Sequence, residues 1–142
     1  MLPYQKLDDK QGEASCAVSW GHLYKSHGLS EKAITCYRRA LALLPNGNDD
    51  KNRFSILTSV AECYLDLQDY KAAFDSVKQA SYLSEETHNE QKEIIALAIQ
   101  AKILAELGDY ETAIENLKKT YQYFNRNGNR QVEAVTTDLQ QR

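Results

Sequence analysis

Apolar residues recur at helical spacing in run after run of this chain, and no alternating stretch is long enough to make a useful strand. Between the runs fall Gly28, Gly47, Gly108 and Gly128, and proline is confined to Pro3 and Pro45. That is the punctuation of helices joined by short turns. Slid along itself, the chain fits best at an offset of forty residues. Tyr24 falls on Tyr64 and Leu104, Gly21 on Ala61 and Ala101, Ala33 on Ala73 and Ala113, and Ala40 on Ala80 and Thr120. Ile34, Phe74 and Ile114 superpose, as do Tyr37, Val77 and Leu117. The segment Leu67-Gln68-Asp69-Tyr70 matches Leu107-Gly108-Asp109-Tyr110. Asp9, Asp49, Asn89 and Asn129 keep the same interval, and each can accept an unpaired amide at a helix start.

Such self-similarity marks a solenoid of helical hairpins rather than a single-core globule. The pattern predicts an all-α chain with units over about 10–47, 48–87 and 88–127. In each unit a first helix (10–27, 50–67, 90–107) is followed by a second (30–44, 70–84, 110–125). A further helix is expected over about 130–142, carrying Val132, Ala134, Val135 and Leu139. Small residues such as Gly21 and Ala33 let two helix backbones approach, while Tyr24 and Tyr37 fill the flanking space. A large residue at Ala33 or Ala73 would strain the hairpin.

The string Trp20-Gly21-x-x-Tyr24, then Gly28, Ala33, Tyr37, Ala40 and Pro45, resembles the tetratricopeptide repeat. The second and third units match through Ala61-x-x-Tyr64, Asp69-Tyr70-x-x-Ala73 and Ala80, and through Ala101, Gly108-Asp109-Tyr110-x-x-Ala113. Glu85 and Asn125 stand where the family's terminal proline would be. The family's usual repeat is 34 residues; an interval of forty implies six more per unit, in helices or in turns. The resemblance implies a right-handed solenoid of three repeats plus a terminal helix. It does not specify a function, because one fold serves many partners.

Composition narrows the field without naming a chemistry. The chain has 142 residues, 42% of them apolar, and a net charge of −3, which argues against disorder and is enough for a real core. Its pI near 5.6 offers no electrostatic footprint for nucleic acid or an anionic membrane. No run approaches the ~20 apolar residues of a membrane helix, and Met1 to Lys6 lacks the pattern of a signal peptide. Cys16, Cys36 and Cys63 form no CxxC pair, so neither a disulfide framework nor a zinc site is expected. They are expected as small buried residues in a reducing, cytoplasmic setting. Nine of the aromatics are tyrosines, but they occupy repeat positions with no basic stripe between them, which argues for core rather than a nucleic-acid stacking platform.

His22 and His27 share no helix face, and His88 falls in a turn. No serine or cysteine sits in a nucleophile motif, and no glycine-rich phosphate loop follows a strand. The chain is therefore expected to be no enzyme and to need no cofactor or metal.

In the tetratricopeptide family the first helix of each unit lines a concave groove that holds a peptide or helix. Residue by residue, the resemblance assigns Ser19, His22 and Lys25 to that groove from the first unit. It assigns Thr58, Ser59, Glu62 and Asp66 from the second, and Ile95, Ile99 and Lys102 from the third. The expected lining passes from polar to apolar along the chain, and Ile95 and Ile99 would form an exposed aliphatic end. The carboxylate clamp of some chaperone-binding relatives is missing, since Val18, His22, Ser59, Ile95 and Ile99 occupy its positions. The expected partner is thus another protein, offering a peptide or helical segment, with neither nucleic acid nor membrane. The alternative is an assembly module that self-associates through its terminal repeat face, around Val135 and Leu139; the final helix is expected either to be a polar cap or to mark a fragment of a longer repeat protein.

Overall fold

The computed structural model describes residues 9–44 and 50–126, and among these residues the chain is six α-helices with no strand. They are α1 (Lys10–Ser26), α2 (Ser30–Leu43), α3 (Asp50–Asp66), α4 (Tyr70–Glu86), α5 (Glu90–Glu106) and α6 (Tyr110–Arg126). Five of them run 17 residues, about 26 Å each at 1.5 Å per residue. The residues beyond the family's usual 34 thus lie in the helices; α4, for example, extends to Glu86, two residues past the sequence expectation. The helix expected over 130–142, the cap positions Asp49 and Asn129, and the Pro45 turn lie outside the described residues.

Helices start every twenty residues, at positions 10, 30, 50, 70, 90 and 110, and one turn closes four of the five connections. After α1 the Leu29 amide donates to the Tyr24 carbonyl (2.9 Å) and the Gly28 amide to the Lys25 carbonyl (3.0 Å). The pair of bonds recurs at Asp69 to Tyr64 with Gln68 to Leu65, at Asn89 to Ser84 with His88 to Glu85, and at Asp109 to Leu104 with Gly108 to Ala105. This is the Schellman closure, whose central residue must be left-handed. The φ values there are 77° at Gly28, 62° at Gln68, 53° at His88 and 87° at Gly108. In three of the turns the following residue also caps the next helix. Asp69, Asn89 and Asp109 accept from the amides of Ala72 (3.2 Å), Lys92 (3.1 Å) and Thr112 (3.3 Å). Asp9 caps α1 in the same way through the Gly12 amide at 2.9 Å. Leu29 makes no side-chain cap, so α2 begins without one.

Consecutive helices pack antiparallel as hairpins α1–α2, α3–α4 and α5–α6, which stack through α2 on α3 and α4 on α5. Contact between α3 and α5, two apart in sequence, puts the odd-numbered helices on the tighter side of the curve. Ala33, Ala73 and Ala113 are 0%, 0% and 3% exposed, and these small side chains set the close approach within each hairpin. The first core joins α1, α2 and α3 through Ala17, Ile34, Tyr37, Ala40, Ile56, Val60 and Cys63. The second joins α3, α4 and α5 through Phe54, Leu57, Ala61, Val77, Ala80, Ile99 and Ile103. The third is small, with Ala101, Leu104 and Ala113. Two expectations need correction. Cys63 is buried, but Cys16 is exposed and Cys36 half-buried, because no described helix stacks on their faces of α1 and α2. Tyr110, expected in the core, is 64% exposed at the free face of α6.

Candidate functional site

The inner face is built by one side of α1, α3 and α5, and its centre is organised from below by Tyr37 of α2. A Cβ on Gly21 would stand 2.7 Å from the Tyr37 ring, so the missing side chain lets that ring lie directly against α1. The ring is fully buried, and its hydroxyl reaches the inner face, 2.6 Å from His22 Nδ1. His22 also meets the ring edge-on, with centroids 5.4 Å apart. Burial pushes the Tyr37 phenol up to about 12, and a hydrogen bond with the Ser59 side chain opposes part of that rise. One buried tyrosine therefore fixes residues of both α1 and α3 at the groove floor.

Beside it, Lys25 Nζ lies 3.4 Å from Glu62 Oε1, an ion pair across the α1–α3 seam. Both side chains keep partial solvent contact, at 28% and 43% exposure, so the pair adds little stability but presents a fixed charge pattern. Ser19, Asp66 and Lys102 are exposed, and Ile95 is 42% exposed. Together with His22 these residues form an accessible row across three helices. Further along, Tyr70 reaches from α4 to donate to Glu106 Oε2 at 3.4 Å.

Three of the expected lining residues do not face a partner. Thr58 and Ser59 are 8% and 7% exposed, and Thr58 Oγ1 donates to the Ser55 carbonyl at 2.9 Å. Ile99 is 8% exposed and belongs to the second core, beside Val77, Ala96 and Ile103. The helix α5 is gripped by α4, α6 and α3 at once, so its buried arc is wide and swallows Ile99 while leaving Ile95 outside. The expected aliphatic end of the groove is accordingly Ile95 without Ile99.

No group of three or more metal-ligating side chains converges among the described residues. No helix there is long and apolar enough to cross a membrane.

A second concavity, of about 480 Å³, lies at the start of the array between α1 and α2, lined by Asp9, Glu13, Cys16, Trp20, Cys36 and Arg39. Trp20, which opens the repeat-like string of the first unit, is 55% exposed. The forty-residue superposition could have found this site, because it aligns Cys16, Trp20 and Leu23 with Ile56, Val60 and Cys63 of the buried first junction.

Comparison with known proteins agrees with this geometry. A tetratricopeptide repeat family model matches residues 52–126, and another matches residues 18–46. Among solved structures, the TPR domain of Arabidopsis FLU superposes with a TM-score of 0.76 at 19% identity. The match covers 82% of this chain and 98% of that one, and at such identity it speaks for fold alone. No curated protein sequence matches.

Proposed function

Since the chain belongs to the tetratricopeptide repeat family, whose domains are generally non-catalytic modules for protein–protein contact, we propose that it is a scaffold or adaptor whose inner groove holds a peptide or helical segment of a partner protein. The observation that carries this reading is the accessible row on α1, α3 and α5. His22 is pinned by Tyr37, Lys25 and Glu62 are held as a pair, and Ile95 stands exposed on α5. Rigid polar groups and an aliphatic anchor suit a segment with one apolar side chain and flanking polar or charged groups. Preorganised lining residues lower the ordering cost on binding.

The test is selection of peptides from a random displayed library against the full chain, followed by titration of the selected peptides. Ile95→Glu should weaken binding at least ~10-fold, as loss of a central anchor does, and Lys25→Ala should weaken it less. A library that yields no binder, or binders indifferent to Ile95→Glu and Lys25→Ala, rules the groove reading out.

A further inference from the structure

Inside the array, each even-numbered helix seats against the outer side of the next odd-numbered one. At the first junction Ile34, Tyr37 and Leu44 of α2 share a core with Ile56, Val60 and Cys63 of α3, all of them 6% exposed or less. At the second, Val77 of α4 shares a core with Ala96 and Ile103 of α5, all fully buried. The repeat carries the α2 face onto Ile114, Leu117 and Phe124 of α6, which are 51%, 52% and 41% exposed. Tyr121, at 65%, extends the same stripe. Carried the other way, the α3 face becomes Cys16, Trp20 and Leu23 of α1; the cysteine is exposed, Trp20 is 55% and Leu23 49% exposed. The first and last of the described helices thus present the two halves of the array's own internal junction.

Shape and charge agree with that match. The groove of about 480 Å³ beside Trp20 is the counterpart, one unit earlier, of the surface of Ile56 and Val60 that seats α2. Antiparallel seating as at the first internal junction, where Arg38 of α2 stands over the Tyr64 ring of α3, sets Lys118 of α6 over Tyr24 of the next copy. We propose that the chain docks head to tail on a second copy of itself, α6 of one copy entering the α1–α2 groove of the next. The interface is heterologous, so copies add in one direction and extend the solenoid. It is independent of the groove reading, since none of its residues lies on the inner face row.

Sedimentation of the full chain over rising concentration tests this, with Trp20→Glu and Leu117→Glu as probes and circular dichroism confirming that both fold. Both substitutions are at exposed positions, and Leu23→Glu and Tyr121→Glu replace either one that misfolds. The wild-type average mass should climb beyond two chains. Each variant alone should stay at one chain, and the two mixed should form a 1:1 complex, because each retains the face the other lacks. A wild-type chain that remains single up to about 1 mM, as when its own remaining residues or nothing at all cover α6, overturns the proposal. So does self-association that Trp20→Glu leaves intact, which would mean symmetric pairing of α6 with α6.

Discussion

The Tyr37 ring occupies the space where a side chain at position 21 would have to go, and Gly21 leaves that space open on α1. In an ordinary helix interior Gly→Ala gains about 1 kcal/mol. Here the added methyl meets a ring held on every side by core, and overpacking of that kind costs about 1–3 kcal/mol. Gly21→Ala should therefore lower the unfolding free energy by up to about 2 kcal/mol, read as a lower urea midpoint at unchanged slope. A midpoint that rises would show that the ring has room to retreat.

Alkaline titration should single out the same tyrosine. Its phenol ionises near 12 in the folded chain because burial disfavours the phenolate, against an ordinary value of 10.0. A raised folded value means the native state holds its proton longer than the unfolded chain does. The associated stability is fully present below pH 10 and is lost as the pH climbs toward 12. Thermal melts across pH 9 to 12 should show a fall that Tyr37→Phe shallows. Equal slopes in the two proteins would remove Tyr37 as the cause.

The turn after α4 offers a substitution of the opposite sign. His88 sits at φ 53°, a left-handed conformation that costs a residue with a Cβ about 1 kcal/mol and glycine almost none. His88→Gly should stabilise the chain by up to about 1 kcal/mol. Asn89→Ala, which removes the cap on the Lys92 amide, should destabilise it by about 1 kcal/mol. Denaturant melts of the pair decide, and a loss with His88→Gly would mean that the turn draws on the imidazole itself.

Thiol labelling should resolve the three cysteines by position. Cys16 is exposed, Cys36 half-buried and Cys63 fully buried. Burial pushes the Cys63 thiol up, with the Lys25 charge opposing, and so holds it in the less reactive form. An aromatic disulfide reagent at neutral pH should modify Cys16 fastest, Cys36 more slowly and Cys63 only on unfolding. Mass mapping that finds Cys63 modified early would show that the α2–α3 junction opens readily.

Much of this architecture was legible because its causes are local. Gly28 and Gly108, Asp69 and Asn89, and the alanines at 33, 73 and 113 each act within a few residues or within one hairpin, so their spacing carried the fold. The candidate groove was less legible. Ile95 and Ile99 are one helical turn apart and chemically alike, and only the number of helices gripping α5 decides that one is exposed and the other buried. Ser59 reads as a surface serine until Tyr37 is seen to need it. Trp20 reads as a packing residue because the family's pattern places it there, and among the described residues the first hairpin has no neighbour on that side. What sequence periodicity leaves open is which copies of a repeated face find a partner.

The turn Thr87-His88-Asn89 joins two repeats with the same closure that the other turns use within one. From α3 to α6 nothing in the backbone therefore distinguishes the middle of a unit from its boundary. Helices still alternate between the inner and the outer layer, and this gives the chain a parity. An insertion of twenty residues with its own turn would fit the backbone, yet it would exchange the two layers for everything downstream. Residues such as Ile95 and Lys102 would then face outward, and the apolar stripe of α6 would turn toward the inside. Only a gain or loss of forty residues keeps the inner face continuous, so the length of this protein can change without loss of its groove only in steps of two helices.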